Sequence, residues 1–287
     1  MFRTLSPLRC AATFYLLAFA MVVAVALTGG TTAAAMLTPA VATVLTLLVL
    51  TREGWTRRGW ASLGLHRLGL RTWPVAILLP LLIVAVGAAV VLSTDAASWQ
   101  TPEHASRYPA WTLPAFLLAN IAYASVTTSL TEEIGWRGYL LPHLTQFGVR
   151  RALLLSGLLH GIWHLPVMLL TSLYHPAGSR LVVVPMFLVA VTALGVFYGW
   201  LRLRTDSVWP AVLAHSAHNV AVAWMSGLVV GNAVVIQYVA GEGAITTAAY
   251  VAIAVVLLVR AKNPESLVER DASFTMNRKQ SVPAAGR

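Results

Sequence analysis

The residues of this chain that could do chemistry sit where a charged side chain is least welcome. Glu132, Glu133 and Arg137 fall in TEEIGWRG directly after the apolar run WTLPAFLLANIAYASVTTSL, His160 and His164 in HGIWH, and His215 and Asn219 in HSAHN. An ionised side chain at hydrocarbon depth costs about 2.5–3.5 kcal/mol unless it is partnered, so these groups are expected to meet one another. Glu133 precedes Arg137 by four positions. That spacing puts both on one helical face, with the acid on the N-terminal side, the favourable order for an ion pair. Glu132 is turned by about 100° from Glu133 and can address a different neighbour. His160 and His164 are four apart, as are His215 and Asn219, so each pair forms a short polar stripe that can face a shared interior.

A carboxylate and an imidazole converging in a dry cavity can hold and deprotonate a water, while a second imidazole and a carboxamide donate hydrogen bonds to a developing oxyanion. Those are the parts needed for amide hydrolysis without a covalent intermediate. Nucleophilic catalysis fits less well, because the single cysteine, Cys10, stands near the terminus with no base beside it and no GxSxG elbow occurs. HExxH is absent, although Glu132, His164 and His215 would still supply three zinc ligands and leave one position open. A proton-coupled transporter could use the same groups, but it should show inverted repeats or interrupted helices, and neither is evident. A network that merely locks helices together suits Asn120 and the Glu133–Arg137 pair and explains the other residues less well, since small-residue packing does that work at lower cost.

The elements that must position these groups are membrane helices. The chain is 58% hydrophobic and 10% charged, with a mean hydropathy of +0.74, outside the range of soluble globular proteins. Eight apolar runs approach the length needed to cross about 30 Å of hydrocarbon, at 11–28, 32–50, 74–92, 112–131, 152–173, 181–201, 208–230 and 244–259. Short alternating barrel segments are absent, so the expected class is an all-α polytopic bundle. Residues 1–259 read as one transmembrane domain, and 260–287 as a basic, disordered cytoplasmic tail. With both termini inside, nearly all Lys and Arg fall in cytoplasmic segments and only Arg107 and Arg180 lie outside. The first run also fits a cleaved signal peptide, and a retained helix is the preferred reading. The net charge of +10 is spread over separate loops and ends rather than one patch, which excludes a nucleic-acid partner and leaves membrane lipid as the expected one. The loop REGWTRRGWASLGLHRLGLRTW reads as an amphipathic juxtamembrane anchor.

Pro166 removes a donor to the carbonyl of Ile162 and is expected to bend its helix beside His164. His66, His104, His143 and His175 are expected at the surface, and His218, on another face from His215, as a bystander. His160 would line the cavity or bond a neighbouring helix.

EEIGWRG resembles the EExxxR motif, HGIWH the FxxxH motif and HSAHN the HxxxN motif of the CPBP family of intramembrane CAAX-processing proteases and bacteriocin-processing or self-immunity proteins. The three occur in the family's order, each on its own apolar segment, within a core of about 112–230. The resemblance implies Glu132 as the catalytic carboxylate, His164 helping it bind and activate water, and His215 with Asn219 stabilising the oxyanion. Glu133 and Arg137 would orient the first motif. It also implies a glutamic mechanism with no cofactor, zinc being the alternative. His160 stands where the family usually has Phe, adding a polar group that could reshape the pocket or invite a metal. The expected activity is endopeptidase action on a peptide or protein substrate in the cytoplasmic half of the membrane. The alternative is a non-catalytic interaction or immunity protein that uses the same pocket for binding.

Overall fold

The computed structural model describes residues 5–102, 107–171 and 177–261. The long helices are α1 (Pro7–Leu27), α2 (Thr32–Leu45), α3 (Trp73–Leu92), α4 (the helical run Ala110–Phe147), α5 (Val149–Leu170), α6 (Arg180–Thr205), α7 (Trp209–Leu228) and α9 (Ala244–Arg260), with a short α8 (Ala233–Val239) before the last. The protein is an all-α polytopic bundle. The one departure among the described residues is a two-stranded antiparallel ribbon, Ala97–Trp99 against Val229–Gly231, that ties the end of α3 to the end of α7.

Seven helices among the described residues are long and apolar enough to cross a membrane. The run expected at 208–230 does form the 20-residue α7, but His215, His218 and Asn219 make it the most polar of the expected set. A helix with that face must lie inside the bundle. Accordingly α7 packs against α3, α4 and α6 and buries His215, Ser216 and His218.

The starts of the first two helices follow local rules. Ser6 caps α1 by accepting from the backbone N–H of Arg9, and Thr31 caps α2 by accepting from that of Ala34. α4 differs from expectation, since the helix continues past 131 to Phe147, so the acidic pair lies within it rather than at its end. Its hydrogen bonding widens to the π pattern over Ser125–Ser129 and again over Ile134–Leu140, immediately either side of the Leu130–Glu133 turn. A π turn holds more residues than an α turn and often marks functional positions. Here two consecutive glutamates both reach the interior.

α5 and α6 approach closely because glycines face each other. A Cβ on Gly195 would stand 2.3 Å from the Gly157 Cα, and one on Gly157 would stand 2.4 Å from the Thr192 carbonyl oxygen. Small residues at such crossings let helix backbones come into contact. α5 continues helical through Pro166 to Leu170.

The loop between α2 and α3 is anchored on the α6–α7 corner rather than only on lipid. Arg202 donates to the Ser62 carbonyl at 2.8 Å, the Val208 N–H to that of Gly64 at 3.1 Å, and the Trp209 indole to that of Leu65 at 3.1 Å. Its Trp55 still points outward, 71% exposed, in keeping with an interfacial segment.

Candidate active site

The polar stripes of α4, α5 and α7 meet. Glu132 and Glu133 from α4, His160 from α5 and His215 from α7 are all buried, at 1%, 0%, 3% and 7% exposure. The His160 Nε2 donates to Glu132 Oε2 at 2.9 Å. Arg137 Nη1 donates to Glu133 Oε1 at 2.8 Å, the expected pair four positions apart, and also lies 3.1 Å from His160 Nδ1. His215 Nδ1 donates to the same Glu133 oxygen at 2.9 Å. Glu132 and Glu133 therefore address different neighbours, as their angular offset requires.

These bonds fix the proton positions on the rings. A guanidinium has only donors, so the His160 nitrogen facing Arg137 must be the acceptor, and the proton resides on Nε2, aimed at Glu132. His164 Nδ1 lies 3.0 Å from the His160 carbonyl, which only accepts, so His164 carries its proton on Nδ1 and turns Nε2 away from its own helix. His215 donates from Nδ1 to a carboxylate by the same logic.

Aromatic rings hold the imidazoles in these orientations. His160 stacks on Trp136 at 5.0 Å and 28°, and His215 stacks on Tyr198 at 5.6 Å and 19°. The Arg137 guanidinium lies over Tyr198 at 5.2 Å. His164 meets the edge of Phe187 at 5.2 Å.

Between them is a cavity of about 30 Å³ lined by Glu132, His160, His164, Tyr198, His215, His218, Asn219 and Glu242. That is room for a water or two, and its polar walls supply the partners a buried water needs.

Several expectations change at this level. His160, expected to line the cavity or bond a neighbouring helix, does both, since it is a direct hydrogen-bond partner of Glu132 on α4, and His164 lines the same cavity. His218 is no bystander, because it lines the cavity, 1% exposed, with Nε2 at 3.7 Å from Glu242 Oε1. The α7 helix is wrapped closely enough that its second polar face is enclosed by α9 and the loop before it. Asn120 does not lock helices together; it is exposed and bonds the Phe116 carbonyl of its own helix. His143 is half-buried against Tyr139 instead of lying at the surface, while His66 is exposed. His104 and His175, and the tail beyond Ala261, lie outside the described residues.

Sequence reasoning missed Tyr198 and Glu242. Tyr198 lies in an apolar helix where aromatic residues ordinarily pack. Glu242 lies in AGEGA, where a lone acid between glycines is a weak signal.

For a metal, the expected donors were Glu132, His164 and His215. Among the described residues, the group whose donor atoms fall within 4.8 Å of one another is Glu132, His160 and His164 instead. The first set is spread across three helices, and His215 is drawn toward Glu133. His160 fits a metal poorly in this arrangement, since one ring nitrogen is claimed by Arg137 and the other bears a proton. The remaining Glu132 and His164 are fewer protein ligands than the three a catalytic zinc takes.

No curated protein matches the chain. Residues 113–221 match a family described as type II CAAX prenyl endopeptidase Rce1-like. The match covers the whole of the three motifs and begins at the fourth residue of α4. Over the stretch that holds Glu132, Glu133, Arg137, His160, His164, His215 and Asn219, though not Glu242, this multi-pass membrane protein is thus similar to the Rce1-like family of CAAX-type intramembrane endopeptidases.

Proposed function

We propose that the chain is an intramembrane endopeptidase that hydrolyses a peptide bond with a water held in the Glu132 cavity. The observation that carries this is that Glu132 from α4, His160 and His164 from α5 and His215 from α7 line one cavity large enough for a water.

In this reading Glu132 is the general base. His160 holds one of its oxygens and supports the anionic form with a donated proton. His164 faces the water through Nε2, whose lone pair accepts from it. As the carbonyl carbon becomes tetrahedral, Asn219 donates its amide N–H to the oxyanion. His215 donates through Nε2 as an imidazolium, with Glu133 as counterion. Arg137 balances Glu133 and orients His160. No metal takes part. The substrate is a membrane-associated peptide or protein, and the reading extends to a single domain through residue 259 with the termini and the reaction on the cytoplasmic side.

The test is a matched pair in lipid vesicles, unmodified chain and Glu132→Gln, with a farnesylated peptide ending in Cys-aliphatic-aliphatic-X. Release of the terminal tripeptide by the first alone supports the reading. Equal release by both would remove Glu132 from the role of base, and binding without release by both supports a non-hydrolytic pocket instead.

A further inference from the structure

The cavity has a second carboxylate–imidazole pair that the proposed mechanism leaves idle. His218 sits one turn along α7 from His215 and Glu242 in the loop between α8 and α9, and both line the same space of about 30 Å³ as Glu132. His218 is 1% and Glu242 8% exposed. Glu132 and His218 therefore face one shared space.

The environment of His218 differs from that of His160. His160 faces a guanidinium and cannot accept a second proton without placing two donors against each other. His218 Nδ1 faces the Tyr250 hydroxyl at 3.4 Å, and a hydroxyl can donate or accept. His218 can therefore gain or lose a proton on either nitrogen and keep that contact. Its Nε2 makes no hydrogen bond, although Glu242 Oε1 stands 3.7 Å away as counterion to an imidazolium. The other ionisable groups facing the cavity are Glu132, His160, His164, Tyr198 and His215.

Amide hydrolysis needs two proton transfers in opposite directions. The base takes a proton from water, and an acid must give one to the amide nitrogen, because an unprotonated amine anion does not leave. We propose that His218, oriented by Glu242, is the acid that protonates the departing amine; this rests on the peptidase reading above. Water oxygen bonds to the carbonyl carbon as Glu132 takes one of its protons. The His218 Nε2 proton passes to the amide nitrogen of the tetrahedral intermediate, the C–N bond breaks, and the nitrogen leaves as a neutral amine. The oxyanion collapses to the carboxylic acid. Return of the proton from Glu132 to His218 through the next water restores both groups. His218 is thereby a catalytic residue and Glu242 a positioning residue.

The test compares two leaving groups. The farnesylated peptide is assayed beside its thiodepsipeptide, in which sulfur replaces the scissile N–H, so that a thiolate departs without being protonated. For His218→Gln, the amide rate is expected to fall about 100-fold or more while the thioester rate changes by less than about threefold. Glu242→Gln should show the same selective loss to a smaller degree, and Glu132→Gln should lose both activities. If His218→Gln does not fold, judged by its elution as a single species, Glu242→Gln carries the comparison. Equal loss of both activities, or loss of neither, in a folded variant would overturn the assignment, as a packing role moves both rates together. An unmodified chain that hydrolyses neither compound would overturn the peptidase reading itself.

Discussion

His160 Nε2 and Glu132 Oε2 stand 2.9 Å apart, joining α5 to the Leu130–Glu133 turn of α4 across a buried contact. The proton between them is assigned by a third residue, Arg137, which touches the far side of the imidazole. His160→Phe should leave the ring stacked on Trp136 while removing both hydrogen bonds. Hydrolysis is expected to fall about 10–100-fold, less than for Glu132→Gln, because Glu132 remains and loses only its orienting donor. Rates for the two variants under saturating peptide check this. Equal and complete loss would give His160 a larger part than orientation.

Breaking the Glu133–Arg137 pair should damage the fold before the chemistry. Both side chains are 0% exposed and 2.8 Å apart, and removing Arg137 leaves the buried Glu133 carboxylate without its guanidinium, with His215 as its remaining partner. The cost of such a loss is about 3–5 kcal/mol. Arg137→Met is expected to lower the thermal midpoint of the purified protein clearly, whereas Glu132→Gln should shift it little. Unfolding followed by tryptophan fluorescence makes the comparison.

Helix contact remote from the cavity should matter as well. Gly157→Val places branched carbon against the Thr192 carbonyl, which a Cβ would already approach to 2.4 Å. α5 must then move away from α6 and carry His160 and His164 with it. Activity and thermal midpoint should fall together, and the ratio of amide to thioester hydrolysis should stay unchanged. A variant of normal stability and rate would mean that the two helices need not touch.

Zinc should be neither stoichiometric in the purified protein nor needed for hydrolysis. The reason is the ring chemistry of His160, whose Nδ1 is committed to Arg137 and whose Nε2 bears a proton. Elemental content and rates before and after chelator treatment test it. Zinc lost in step with activity would replace the Glu132 base mechanism by a metal-bound water.

The order of polar residues along the chain was enough to find the membrane class, the three motif helices and the Glu133–Arg137 pair, because helical spacing is a local property that any continuous helix obeys. Spacing also gave the seventh run a polar stripe, His215 with Asn219, that can face a shared interior. What it could not announce was which imidazole meets which carboxylate. That depends on where α4 widens into π turns and how closely Gly157 and Gly195 let α5 and α6 approach, both consequences of packing across the bundle. The same holds for His218 and Glu242, 24 positions apart in sequence. Only closure of the last helix and its preceding loop over α7 brings them to the cavity that Glu132 also lines.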